Sequence, residues 1–213
     1  MKSEERFKTD MRRLRGLLKK VLTDDEGARR ALQSGDEARI LDVACGACIE
    51  AETLSDVLAE LKNGDAPVDV DSAGPAVKLT GIDVRAREIA DAQLRFDKMK
   101  DGREFEFLTG DATKLEGHRE LGEDFDVVFM RHQNYWNGQR TWEEIFDQGM
   151  KKLADNGRLV ITSYFDKEHE LALEAIQRLG GKLIVTEENA ESRELSTVGK
   201  SIDRHIAVFE KKK

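Results

Sequence analysis

The chain has 213 residues, 39% hydrophobic and 37% charged, with a formal net charge of −8. That length suits one domain with a sizeable core, and no window holds the roughly 18 uncharged apolar residues of a membrane span. The opening "MKSEERFKTDM" lacks an apolar segment before a small-residue cleavage site, and two cysteines make no disulfide framework, so a cytoplasmic location is expected.

Residues 1–22 carry +5 and the remainder −13. An acidic body repels nucleic-acid backbones and argues against a general nucleic-acid binder. Phe7, Met11, Leu14, Leu18 and Val21 recur at steps of four and three, the stripe of an amphipathic helix. "TDDE", Thr23 to Glu26, has the spacing of a capping box and predicts a second short helix to about Gln33. "SGDE" then turns the chain into a first strand over 39–43. Further apolar runs predict strands at 77–82, 105–109, 125–130, 159–163, 182–186 and 205–209. Helical stripes lie between most of them. One holds Ala51, Leu54, Leu58 and Leu61, the next Ile89, Ala90, Leu94 and Phe96. A third opens on a capping box at Thr141 and Glu144 and runs through Leu153. The last holds Leu171, Ile176 and Leu179, before Gly180 and Gly181.

Strands alternating with helices imply a parallel sheet covered on both faces. The final two strands have only the polar loop "EENAESRELSTVGKSID" between them, so they are expected to pair antiparallel. Residues 63–77 contain both prolines, Pro67 and Pro75, and read as a long loop. The division expected is a helical extension over 1–37 packed on a domain over 38–213. The apolar stripe of the first helix needs a partner; the default is the domain itself, with a lid, an arm for an anionic partner, or a homo-oligomer contact as other readings.

The stretch "ILDVACGACIEA" ends the first strand at the sheet edge where open parallel sheets bind ligands. Gly46 lets the backbone approach a ligand, and the following helix points unpaired amides at it. The second strand ends in Asp83, whose carboxylate can accept from both hydroxyls of a ribose. The third ends in "TGDAT", which puts Asp111 at the same edge.

These residues resemble class I S-adenosylmethionine-dependent methyltransferases: a strand ending in Asp42 and leading to Gly46, an acid at Asp83, "GDA" at residues 110–112, and "FDVVFMRHQ" as the fourth strand. The resemblance covers about residues 39–211. It implies an α/β, doubly wound, Rossmann-like sheet of seven mostly parallel strands, the last antiparallel, with helices on both faces. It implies S-adenosylmethionine as cofactor. Asp42, Ala44, Cys45, Gly46 and Cys48 would line its methionine and ribose moieties, Asp83 and Val84 its ribose, and Asp111 and Ala112 its adenine. Met130 and Arg131 would face the reacting centre. The family's first motif carries glycines where this chain has Ala44 and Cys48.

Three rivals were weighed on chemistry. Cys45-x-x-Cys48 at a helix start has the form of a redox pair, but that reading leaves Asp83 and Asp111 unused. Zinc wants a second ligand pair that is not spaced for it. A nicotinamide enzyme wants Gly-x-Gly-x-x-Gly, and Gly46 has no glycine two positions away. A cofactor-binding protein without catalysis stays open as a second class.

The methyl acceptor is expected to be a small molecule. The fourth strand ends in "RHQN" rather than the Asn/Asp-Pro-Pro-Tyr of enzymes that methylate adenine or glutamine nitrogen, and no cysteine follows Cys48 to serve as an RNA cytosine nucleophile. His132 is the candidate base and Arg131 the candidate group to orient an acceptor carboxylate or phosphate. Tyr135 and Trp136 either cap an acceptor pocket or pack on the sheet edge. His118, His169 and His205 have no constellation around them.

Overall fold

The structure is a computed structural model that describes residues 2–64, 76–96 and 103–212; most of the proline-containing loop, with Pro67 and Pro75, lies outside the described residues. Helices α1 (Lys2–Thr23) and α2 (Glu26–Ser34) precede β1 (Glu37–Val43). The chain then alternates: α3 (Ala51–Asn63), β2 (Ala76–Asp83), α4 (Ala86–Phe96), β3 (Arg103–Thr109), β4 (Phe125–Arg131), α5 (Gln139–Lys152), β5 (Leu153–Ser163), α6 (Asp166–Arg178) and β6 (Gly181–Glu188). A small ribbon of Arg193–Glu194 and Ser201–Ile202 leads to β7 (His205–Lys211).

The seven strands form one sheet in the order β3-β2-β1-β4-β5-β7-β6. The first five pair in parallel, and β7 runs antiparallel between β5 and β6. This is the Rossmann-like arrangement expected, reversed last strand included. Each inner strand is buried on both sides, which is why it reads as an unbroken apolar run. Alternate residues enter different cores: Ile40, Val127, Phe129, Val160 and Val208 join α1, α2, α3 and α4, whereas Leu41, Val128, Met130, Leu159 and Ile161 join α5 and α6.

Helix α1 lies inside the first of these cores. Leu14, Leu17, Leu18, Val21 and Leu22 are all buried there, and Phe7 is the exposed member of the stripe. The homo-oligomer reading thus loses its motive, because the domain itself covers this face. Of the ion pairs that tie the N-terminal helices to distant strands, two are the more buried. Asp10 takes a forked contact from Arg193 (Nη2–Oδ2 2.6 Å). Asp25 receives the buried Arg158 guanidinium at 2.5 Å through Nε and 3.0 Å through Nη2.

Four local expectations need correction. The cap of α2 is Asp25, which accepts from the Ala28 amide at 3.0 Å; α1 runs on through Thr23 and uses that residue up. Helix α5 starts at Gln139 after Gly138, so Thr141 lies inside it and caps nothing. Strand β5 begins at Leu153, which ends the helical stripe earlier than expected. In α4 the buried stripe is Ile89, Ala92 and Phe96, and Leu94 is 80% exposed.

Asp25→Ala removes a cap and strands a buried guanidinium at once. The expected loss is about 3–5 kcal/mol by urea denaturation, against no measurable loss for Lys8→Ala in its exposed contact with Glu4.

Candidate functional site

The sheet order reverses at β1, which has β2 on one side and β4 on the other, so the connections leaving β1 and β4 diverge and open a crevice at their carboxyl ends. Strands β1 and β2 end level with each other, Asp42 beside Gly81 and Val43 beside Ile82. Past Val43 the backbone winds through three left-handed residues, Ala44 (φ 56°), Gly46 (φ 57°) and Cys48 (φ 46°). Glycine adopts this conformation freely. Alanine and cysteine hold it against steric resistance of about 1–2 kcal/mol each. The turn is locked by the Cys45 amide donating to the Ile82 carbonyl (3.2 Å) and the Cys48 amide to the Cys45 carbonyl (2.8 Å).

Asp83 closes the turn from β2. Its Oδ2 accepts from the Gly46 amide at 2.8 Å and its Oδ1 from the Arg85 amide at 2.8 Å. Arg85 then folds its guanidinium back onto the same carboxylate, Nε to Oδ1 at 3.0 Å. Burial pushes the Asp83 carboxyl up, but Arg85 and the two amides outweigh it and hold the group below its ordinary value. The Arg85 side chain also lies over Gly46, where a Cβ would come within 2.8 Å of Nη2.

The floor is acidic. Asp42 is fully buried; Cys48 donates its thiol proton to Oδ2 at 3.0 Å, and Oδ1 has no partner among the described residues. Burial, then the nearby Glu50 charge, raise its carboxyl well above the usual range. Burial raises the Cys48 thiol likewise; at Cys45 the contact with Cys48 lowers it, but burial and the surrounding acids outweigh that. Both cysteines are free thiols, and raised thiols are poor nucleophiles, so the physical basis of a redox pair is missing.

On the third strand the placement is looser. The Gly110 amide donates to the Asp83 carbonyl at 3.0 Å, which brings that turn beside the end of β2. Asp111 itself is half-exposed and caps the short 3-10 turn Ala112–Gly117, accepting from the Thr113 amide at 3.0 Å and its hydroxyl at 2.8 Å. Ala112 is buried and Val84 is exposed.

At the end of β4, Met130 is buried and Arg131 presents no free edge. The Arg131 guanidinium grips Asp203 in a fork, 2.9 Å through Nε and 2.6 Å through Nη2, and reaches Glu50 at 3.6 Å. A bidentate, buried guanidinium is not available to orient an acceptor anion, so that expectation for Arg131 is replaced by an anchoring contact. His132 follows in a left-handed conformation (φ 59°), its amide donating to the Thr162 carbonyl at 2.9 Å. Its ring stacks on Tyr164 with centroids 3.8 Å apart, and Nε2 lies 2.8 Å from Asp203 Oδ1. Burial lowers the imidazole, and the Asp203 carboxylate offsets only part of that, which leaves His132 neutral at neutral pH.

Beyond His132 the two aromatic residues part company. Tyr135 is buried, its hydroxyl donating to Glu143 at 2.8 Å, while Trp136 is 46% exposed against the edge of Phe165. The loop is held by Glu168, a buried carboxylate in the first turn of α6 that accepts the Tyr135 amide at 2.9 Å. His169 is buried between the Ser163 and Thr186 hydroxyls and stacks on His205, a packing role. His118 lies 3.4 Å from Glu120.

Sequence reasoning missed Glu50, Arg85, Glu168 and Asp203. Glu50 stands inside the motif but looks like any helix-start acid, and Asp203 sits in a polar loop 72 positions from Arg131. No spacing signal marks either.

The fold and this crevice define a class I S-adenosylmethionine-dependent methyltransferase. The chain belongs to the methyltransferase domain family, whose model matches residues 34–207. It resembles a TehB-like SAM-dependent methyltransferase from Corynebacterium glutamicum at 19% identity, TM-score 0.55, over 98% of this chain and 100% of that one. Aeropyrum pernix fibrillarin with natively bound S-adenosyl-L-methionine matches at 13% identity, TM-score 0.57, over 83% and 68%. An rRNA methylase from Streptococcus thermophilus matches at 16%, TM-score 0.52, over 87% and 94%. No curated protein matches significantly.

Burial pushes Glu168 up to about 7 from the 4.5 of an unfolded chain. The folded state then binds the extra proton between those values, so this group's contribution to stability falls as pH rises from about 4.5 to about 7. Glu168→Gln is expected to raise the urea midpoint at pH 8 and to lose that advantage below pH 5.

Proposed function

We propose that the chain transfers a methyl group from S-adenosylmethionine to a small molecule in the cytoplasm, through a domain over 38–213 carrying a helical extension over 1–37. The observation that carries this reading is the Asp83 carboxylate held 2.8 Å from the Gly46 amide at the switch point of the sheet. The residues fit the cofactor in three respects. Gly46 carries no side chain at the turn, so that its amide meets Asp83, and Asp83 offers an ionised carboxylate for ribose hydroxyls. The third is the orphaned Oδ1 of Asp42, a buried polar oxygen with no partner among the described residues.

Asp42, Ala44, Cys45, Gly46 and Cys48 would line the methionine and ribose moieties, Asp83 and Val84 the ribose, and Asp111 and Ala112 the adenine, with Met130 and Arg131 toward the reacting end. When bound, the cofactor supplies an electrophilic methyl group. The protein aligns the acceptor and excludes water, and His132, neutral and next to this edge, is the group to take a proton from an acceptor hydroxyl. The acidic balance of residues 23–213, which carry −13, supports an acceptor other than a phosphate backbone. No helix among the described residues is long and apolar enough to cross a membrane.

Calorimetry with S-adenosylhomocysteine tests the cofactor assignment. Wild type should bind, and Asp83→Ala should bind more weakly by about 1.5–3 kcal/mol, the range for hydrogen bonds to a charged group. Absence of binding to wild type would overturn the reading. For the acceptor, release of S-adenosylhomocysteine with a panel of small hydroxyl compounds and not with RNA is expected, and His132→Ala should remove the acid limb of the pH–rate profile. An unchanged profile would dismiss His132 as base.

A further inference from the structure

Asp203 is almost wholly buried and sits in a left-handed turn (φ 48°) between the ribbon and β7. Its carboxylate is saturated. Oδ1 receives Arg131 Nε at 2.9 Å and the Thr162 hydroxyl at 2.9 Å, with His132 Nε2 at 2.8 Å, while Oδ2 receives Arg131 Nη2 at 2.6 Å. The backbone around it is pinned as well, its carbonyl accepting from Asn189 Nδ2 at 3.1 Å. Arg131 alone would compensate one buried carboxylate. The third contact on Oδ1, to an imidazole, is not needed for charge balance.

That contact has a tautomeric consequence. A ring nitrogen 2.8 Å from a carboxylate oxygen must carry the proton, because two bare acceptors at that distance repel. The Asp203 amide also lies 3.2 Å from Nε2, which would favour a bare nitrogen. The shorter contact to a charged oxygen is the stronger of the two and decides the matter. Nδ1 is then the unprotonated nitrogen. It has no hydrogen-bond partner among the described residues and is not one of their buried orphaned atoms, so it keeps some solvent contact in a side chain that is 13% exposed. The charged and titratable groups acting on the ring are Asp203, Arg131 and Lys200, with Tyr164 stacked on its face and Lys200 Nζ 4.2 Å from the Tyr164 ring centroid.

We propose that Asp203 is the positioning residue of the site: it fixes the His132 proton on Nε2, presents Nδ1 to the acceptor proton, and with the same carboxylate clamps Arg131 toward Glu50 at the start of α3. The catalytic value of this arrangement rests on the reading of His132 as base; the tautomer does not.

The test is a two-bond proton–nitrogen NMR correlation on histidine-labelled wild type at pH 8, in which the four histidines give four ring patterns and His132→Gln assigns the relevant one. The expected result is a single Nε2–H tautomer at His132. An Nδ1–H tautomer in wild type overturns the proposal without any variant. Asp203→Asn keeps the shape and tolerates the left-handed turn, and it is expected to give mixed tautomers and a lower titration midpoint for His132. An Asn variant whose His132 tautomer and midpoint match wild type also overturns it. Wild type that shows the Nε2–H form but binds no S-adenosylhomocysteine would leave the positioning geometry standing and sink the methyl-transfer reading instead.

Discussion

A carboxylate at the end of one parallel strand and an amide in the turn after its neighbour meet at 2.8 Å, and the geometry of the crevice follows from that contact between Asp83 and Gly46. It can form only because β1 and β2 pair in register to their last residues. It also needs the backbone at residue 46 to carry a positive φ, so that the amide turns toward β2 instead of continuing the strand. The left-handed conformations of Ala44 and Cys48 are the local expense of that path, offset by the buried packing of Cys48 against Asp42 and of the turn against Ile82. The two cysteines thus serve as small side chains in a tight floor. Gly81 opposite them is part of the same fit, since a Cβ there would press on both sulfurs, at 3.0 and 3.3 Å.

The carboxyl edge of the sheet gathers charge that the two cores exclude. Asp42, Glu50, Asp83, Arg131 and Asp203 are all buried or nearly so within a few strands of one another. Buried charges of this kind stabilise a fold poorly, because desolvation consumes most of the Coulombic gain. Five of them gather where β1 and β4 diverge, and a cluster of buried charges at a sheet edge is a candidate for function. Elsewhere the structure uses a buried pair as a fastener: Asp25 and Arg158 join the helical N-terminus to the strand β5, across 133 positions of sequence.

The sheet is legible in the sequence because two-sided burial turns each inner strand into an uninterrupted apolar run, and the reversed last strand because no helical stripe precedes it. Helix starts were less legible. Thr23 and Thr141 both have the right residue three positions on, yet a preceding helix absorbs one and Gly138 starts the second helix ahead of the other. The candidate residues Asp42, Asp83 and Asp111 stand at or just past strand ends, a placement that can be read from order along the chain. The charged partners cannot. Asp203 and Glu50 reach Arg131 through tertiary folding alone, so a role for Arg131 read from its position after β4 mistakes a tethered guanidinium for a free one.

Arg85 gives the crevice a stand-in occupant. Its side chain lies over Gly46 and on Asp83, so a cation of the chain itself covers the carboxylate at the switch point. A further donor that reached the same oxygens would share the carboxylate with this internal contact. Because that guanidinium is 58% exposed, salt screens its hold on Asp83. Raised ionic strength therefore loosens this cation and uncovers the Asp83 carboxylate.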